Sequence, residues 1–294
     1  MSVILHFAKI IVFFFGTVLC LIAETPDQLF RQAENSSSEL HKMNLLTRAI
    51  QNNQDSYWPF LHMAYHQRGL LYNKMGFTQE ALEDFNRSLV YFDGFLQSHY
   101  ERADIFYKKG QWREVVEELT LVERKNPQLF TLFEERGWAN FQIQEYRNAL
   151  KDLTQAIRHG NQKENIFVLK VLSHINIFDY EGSLSELSVL KNKLEDPALY
   201  YFLRGLLYYL LMREREWELY QGQINLLPID RDKKLIDLEQ RLVDSFKEAH
   251  RLGFTFEADA LWQQVWRMRE YLNDFLQFYE DVIESQEGNL KEEG

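Results

Sequence analysis

A basic residue returns every 34 positions through the middle of this chain: Arg68, Arg102, Arg136, Lys170 and Arg204, with no insertion between them. A fixed interval kept over five copies means one supersecondary unit repeated in series. Thirty-four residues accommodate two helices of about a dozen residues each and their turns. Other positions keep the same beat. The residue after each base is Gly69, Ala103, Gly137, Val171 or Gly205, mostly small enough for two helices to approach closely. Three or four places beyond stand Tyr72, Phe106, Phe141, Ile175 and Tyr208. Thirteen residues after each base lie Ala81, Val115, Ala149, Ser183 and Trp217, and twenty after it Ser88, Val122, Ala156, Leu190 and Ile224. A helix hairpin of this kind cannot bury its apolar face alone, so successive copies must stack on one another. No strand pattern competes.

Three segments, "RGLLYNKMGFTQEALEDFNRSL", "RADIFYKKGQWREVVEELTLV" and "RGWANFQIQEYRNALKDLTQAI", carry this alternation of small and aromatic residues. In it the chain resembles the tetratricopeptide repeat (TPR) family. Gly110, Gln111 and Trp112 match the family's turn, and Pro127 its repeat end. "DYEGSLSELSVL" is a weaker copy, and "RGLLYYLLMREREWELY" keeps the first helix but has Trp217 where alanine is usual. A degenerate earlier copy spans "PDQLFRQAENSSSELHKMNLLTRAI", with Ala49 in the late small position. The resemblance implies an all-α, right-handed α-solenoid of helix hairpins. It divides the chain into an N-terminal segment (1–23), a solenoid of about five to six repeats (24–231), a C-terminal helical cap (232–285) and a disordered acidic tail (286–294).

The basic residue sits where hydrophobic rhythm asks for a packing side chain. Sixteen residues after it stand Asp84, Glu118, Asp152 and Glu186, and only the fifth copy departs, with Tyr220. A partly buried charge needs a partner, or its desolvation costs several kcal/mol. Base and acid are therefore expected to pair across each hairpin: Arg68 with Asp84, Arg102 with Glu118, Arg136 with Asp152 and Lys170 with Glu186. Such pairs are structural.

In proteins of this resemblance, ligands lie on the concave side, lined by the first helices. Carrying those positions over gives Tyr100, Asp104, Tyr107, Lys108, Glu134, Trp138 and Phe141 as the expected partner-binding residues. The first good repeat offers His66, Leu70, Asn73 and Lys74. The far end is apolar, with Val168, Leu172, Ile175, Phe202, Leu206, Tyr209 and Leu210. An apolar patch that long is unusual on a monomer. The aromatic stretch over 255–285, "FEADALWQQVWRMREYLNDFLQFYEDVIES" and its neighbours, is expected to cover part of it. Some TPR proteins hold chaperone tails in a basic carboxylate clamp. His66, Leu70 and Asp104 depart from that pattern.

Chemistry of other kinds finds little footing. The net charge of −11 repels phosphate backbones, which argues against a nucleic-acid partner. There is no Gly-rich phosphate loop and no metalloprotease motif. His62 and His66 are four apart on one helix, but no third ligand accompanies them, so no metal, cofactor or catalytic residue is expected. The sequons at Asn35 and Asn86 are of a kind common by chance.

The N-terminus sets the location. Residues 10–23, "IIVFFFGTVLCLIA", hold no charge. As a helix they reach about 21 Å, short of a hydrocarbon core of roughly 30 Å. That length suits a signal peptide cleaved after Ala23, with an uncleaved anchor as the alternative and lipidation at Cys20 a lesser one. Cys20 is the single cysteine, so a processed chain has no disulfide chemistry. The sequence thus leads to an exported scaffold of the periplasm or cell envelope, or a secreted one, binding a peptide or protein. The alternative is a structural subunit of a membrane-associated assembly that docks through the C-terminal aromatic helix.

Overall fold

The computed structural model describes residues 24–53, 58–191, 193–194, 196–222 and 233–254, together with Phe278 and Asp281. Every regular element among these is an α-helix, and the chain divides into two units, residues 1–128 and 129–294. The segment 1–23, nearly all of the expected aromatic helix over 255–285 and the tail 286–294 lie outside the described residues.

The first unit holds three hairpins: α1 (Pro26–Glu34) with α2 (Glu39–Gln51), α3 (Leu61–Lys74) with α4 (Thr78–Tyr91), and α5 (Leu96–Lys108) with α6 (Trp112–Lys125). Thr25 and Gln28 form a reciprocal capping box at the start of α1, and Ser38 caps α2. Helix α2 packs on α3 and α4 on α5, so each hairpin completes the core of the next. Leu29, Phe30, Leu45, Leu46, Ala64 and Leu71 form one cluster of that core, and Ala81, Phe85 and Ile105 another. The degenerate first copy is thus a real hairpin, with Ala49 fully buried.

The second unit repeats the plan with α7 (Leu132–Gln142) and α8 (Tyr146–Arg158), α9 (Glu164–Asn176) and α10 (Tyr180–Leu190), and α11 (Pro197–Gly222) and α12 (Lys233–Arg251). Helix α8 packs on α9 and α10 on α11.

The turns of the four hairpins from α3 to α10 each pass through one left-handed residue, and these too are 34 apart: Gly76 (φ 84°), Gly110 (φ 70°), Gln144 (φ 66°) and Phe178 (φ 67°). Glycine takes that conformation freely. Gln144 and Phe178 pay the steric penalty of a Cβ there, about 1–2 kcal/mol each.

The four expected ion pairs span the hairpins. Arg68 donates from Nε and Nη2 to the two oxygens of Asp84, at 2.7 and 2.8 Å. Arg136 does the same to Asp152 at 2.9 and 2.7 Å, and Asn140 adds a third bond at 2.9 Å. Lys170 Nζ lies 2.6 Å from Glu186. In the second copy the longer Glu118 is shared: one oxygen meets Arg102 Nη2 at 2.8 Å and the other His99 Nδ1 at 2.7 Å. Arg102 Nε is left buried, with no hydrogen-bond partner among the described residues. Burial pushes the Asp84 carboxyl up despite the pull of Arg68, so the pair sets register more than it adds stability.

The last hairpin, which carries the fifth base, departs from expectation. Helix α11 runs 26 residues without a turn at position 212. Its partner is α12, which the sequence reading assigned to the cap. Arg204 Nε donates to Ser245 Oγ at 3.0 Å, across 41 residues instead of the 16 seen for Arg68 and Asp84. A Cβ on Gly205 would stand 2.3 Å from Phe246, just as one on Gly69 would stand 2.8 Å from Phe85. Shifted by the same difference, 41 − 16 = 25, Leu242 and Ala249 are fully buried in the places expected of Trp217 and Ile224. Trp217 is 62% exposed.

Two measurements check this packing. Asp152→Ala strands a buried guanidinium and is expected to lower unfolding free energy by about 3–5 kcal/mol, whereas Arg136→Met with Asp152→Leu loses far less. Gly205→Ala is expected to cost about 1–3 kcal/mol by overpacking, with Phe246→Leu recovering part of it in a double-mutant cycle. Urea denaturation reads both.

Candidate functional site

The expected partner-binding residues fall on two helices, one in each unit. On α5, Tyr100, Asp104 and Tyr107 are half-buried and Lys108 is exposed. They follow an i, i+4, i+7 spacing and so share one helix face. Tyr107 meets Trp112 edge-on, with ring centroids 5.2 Å apart, and Lys108 is paired with Asp104 at 2.5 Å. The face therefore offers aromatic area with its charges locally balanced.

On α7, Glu134 and Trp138 share a face and are half-buried. Glu134 is fixed by Lys163 Nζ at 2.7 Å and Asn161 Nδ2 at 2.6 Å, both from the loop that leads into α9. Phe141 does not join them. It is 3% exposed and packs edge-on against Tyr146 within its own hairpin, because the in-phase aromatic at that place faces the partner helix.

The apolar end expected further along is core. Val168, Leu172 and Ile175 on α9 and Phe202, Leu206, Tyr209 and Leu210 on α11 are all buried. Helix α9 is buried all round from Ile166 to Ser173 because it packs against α7, α8 and α10. Phe278, from the C-terminal stretch, stands 6.1 Å from the Tyr209 ring, so that stretch contributes at least this one contact.

His66 is likewise not a lining residue. It is buried between hairpins, with Nδ1 3.0 Å from Ser98 Oγ, which in turn donates to Ser88 Oγ at 3.0 Å. Burial, and secondarily the nearby His62, pull its pKa down to about 4. His62 stands edge-on to Phe92 and Phe95 at 5.2 and 4.9 Å. Among the described residues no three His, Cys, Asp or Glu side chains gather to hold a metal ion.

Exposed apolar side chains collect at a place the sequence reading missed. Phe60, Val90, Tyr91 and Phe92 are all exposed where α3 begins and α4 ends. The signal was present: "VYFDGF", residues 90–95, puts an aromatic cluster where a polar turn is the norm.

No protein-family model matches the chain, and no curated protein matches it. Three solved structures are among those similar to it. One is a tetratricopeptide repeat protein from Parabacteroides merdae, 15% identical over 82% of this chain and 97% of that one, with a TM-score of 0.48. A second is YrrB, described as a TPR protein with an unusual peptide-binding site, 15% identical over 70% of this chain and 94% of that one, at 0.48. A third is MamA from Desulfovibrio magneticus, 11% identical over 57% and 92%, at 0.45.

The depressed pKa of His66 has a direct consequence. The unfolded chain binds the proton at an ordinary value near 6.5 and the folded chain only near 4. Stability held by the neutral ring is complete above about pH 6.5 and is lost as pH falls toward 4, by roughly 3 kcal/mol in all. His66→Asn keeps a polar contact to Ser98 and removes the titration. Urea midpoints measured from pH 7 to 4 are expected to fall less steeply in this variant than in the parent.

Proposed function

We propose that this chain is an exported, non-catalytic scaffold of tetratricopeptide type that binds a peptide or protein on the first-helix faces of its hairpins. The observation that carries the reading is the contrast among those helices. The face of α5 keeps Tyr100, Asp104 and Tyr107 partly open, with Lys108 beside them, whereas the matching residues of α9 and α11 are committed to the core. Rigid aromatics supply contact area at small entropic cost, and flanking charges orient a partner. Trp138 and Glu134 offer a second such face on α7.

The exported setting, periplasm, envelope or exterior, rests on the uncharged run of residues 10–23. The contact of Phe278 with Tyr209 supports use of the C-terminal stretch within the chain itself, which weighs against its serving mainly to dock on an assembly.

A photo-crosslinker placed at position 107, and separately at 138, is expected to capture a polypeptide in the native envelope, identified by mass spectrometry. Tyr100→Ala with Tyr107→Ala is expected to weaken binding of that polypeptide by about thirtyfold or more, as for an interface anchor worth 2 kcal/mol. Capture of no polypeptide at either position, or binding of the captured polypeptide unchanged by these substitutions, overturns the reading.

A further inference from the structure

One edge of the first unit gathers six helix ends. Helix α1 begins there, α2 ends, α3 begins, α4 ends, α5 begins and α6 ends. A continuous set of contacts ties it together. Glu24 takes Arg48 at 2.5 Å, and its carbonyl accepts from Asn52 Nδ2 at 3.3 Å. Phe30 stacks on Phe60 at 5.9 Å, His62 meets Phe92, and Lys125 Nζ donates to the Asp93 carbonyl at 2.6 Å.

On this edge Val90 is 76% exposed, and Phe60, Tyr91 and Phe92 are 39%, 48% and 49% exposed. Three aromatics and a valine in the open at neighbouring chain ends form a patch of the kind that marks an interaction surface.

We propose that this edge lies on the headgroup zone of a lipid bilayer. Three observations select lipid. The first is continuity: Glu24 sits on this edge and directly follows in sequence the uncharged apolar run 10–23, so a chain that keeps that run as an anchor is tethered beside this edge. The second is chemistry: the amphipathic ring of Tyr91 suits the membrane–water boundary, and Phe60, Phe92 and Val90 beside it supply the apolar area that enters the headgroup and acyl boundary. The third is charge. The chain carries −11 overall, yet Arg48 and Lys125 on this edge are matched by Glu24 and Asp93. The edge therefore approaches an anionic surface without the repulsion felt by the rest of the molecule. The surface is distinct from the α5 and α7 faces and stands or falls independently of them.

The test uses the full chain with Cys20→Ser, carrying an environment-sensitive fluorophore at Phe92→Cys or, as control, at Lys109→Cys. Lys109 closes α5 on the opposite edge, a helix length of ~20 Å away. Both positions are exposed, so labelling spares the core. In phosphatidylcholine vesicles holding doxyl-labelled lipid, the label at 92 is expected to be quenched roughly fivefold more than the label at 109, because headgroup-level side chains reach the quencher and the far edge does not. Adding Val90→Asp is expected to cut the quenching at 92 by about half or more, given the cost of a charge at an apolar contact, with the thermal midpoint unchanged. Equal quenching at the two sites, no association with vesicles, or quenching indifferent to Val90→Asp overturns the proposal. So does a photo-crosslinker at position 91 that captures protein and no lipid in native membranes.

Discussion

A cation buried between two helices admits few solutions, and this fold is arranged around one of them. Four of the five bases on first helices meet an acid 16 residues later on the second, and the pairing dictates how far and in which rotation the two helices slide. Arg136 and Asp152 are the limiting case, with side chains 6% and 3% exposed. Their two parallel bonds fix orientation as well as distance, which a lysine or an apolar pair does not do as sharply. The small residue beside each base then lets the second helix come close, and the apolar clusters follow from that approach.

The same logic explains where surface remains open. A helix with neighbours on all sides, such as α9, has no face left over. Helices α5 and α7 retain one stripe each. Aromatics that hold their hairpin together, Phe141 among them, are unavailable to a partner. Those that stand on the outer stripe, Tyr100, Tyr107 and Trp138, keep part of their surface in the open.

What could be read from the chain beforehand was whatever the period enforced. The hairpins, the four ion pairs and the close-approach positions all recur at one interval, and each has a single inexpensive physical solution. Burial of individual side chains was less legible. His66 and Phe141 lie on first helices at positions where a family pattern lines a surface, but the neighbouring hairpin or partner helix covers them here. The left-handed turns at Gln144 and Phe178 carry no glycine to announce them. The role of α12 was hidden because 25 additional residues break the beat between Arg204 and its partner, and periodicity is blind to an insertion.

That insertion bears on how the chain assembles. Each of the four hairpins before it that carry the ion pair closes over a short stretch of chain. The last must bring together groups 41 residues apart where the others span 16. The added entropy of closing the larger ring is about 0.8 kcal/mol, small against the core that Phe246 and Leu242 complete. The consequence is one of dependence: the face of α11 around Gly205 is covered by Phe246 of α12 and by nothing nearer in the chain, so the last hairpin alone relies on a distant segment to complete its core.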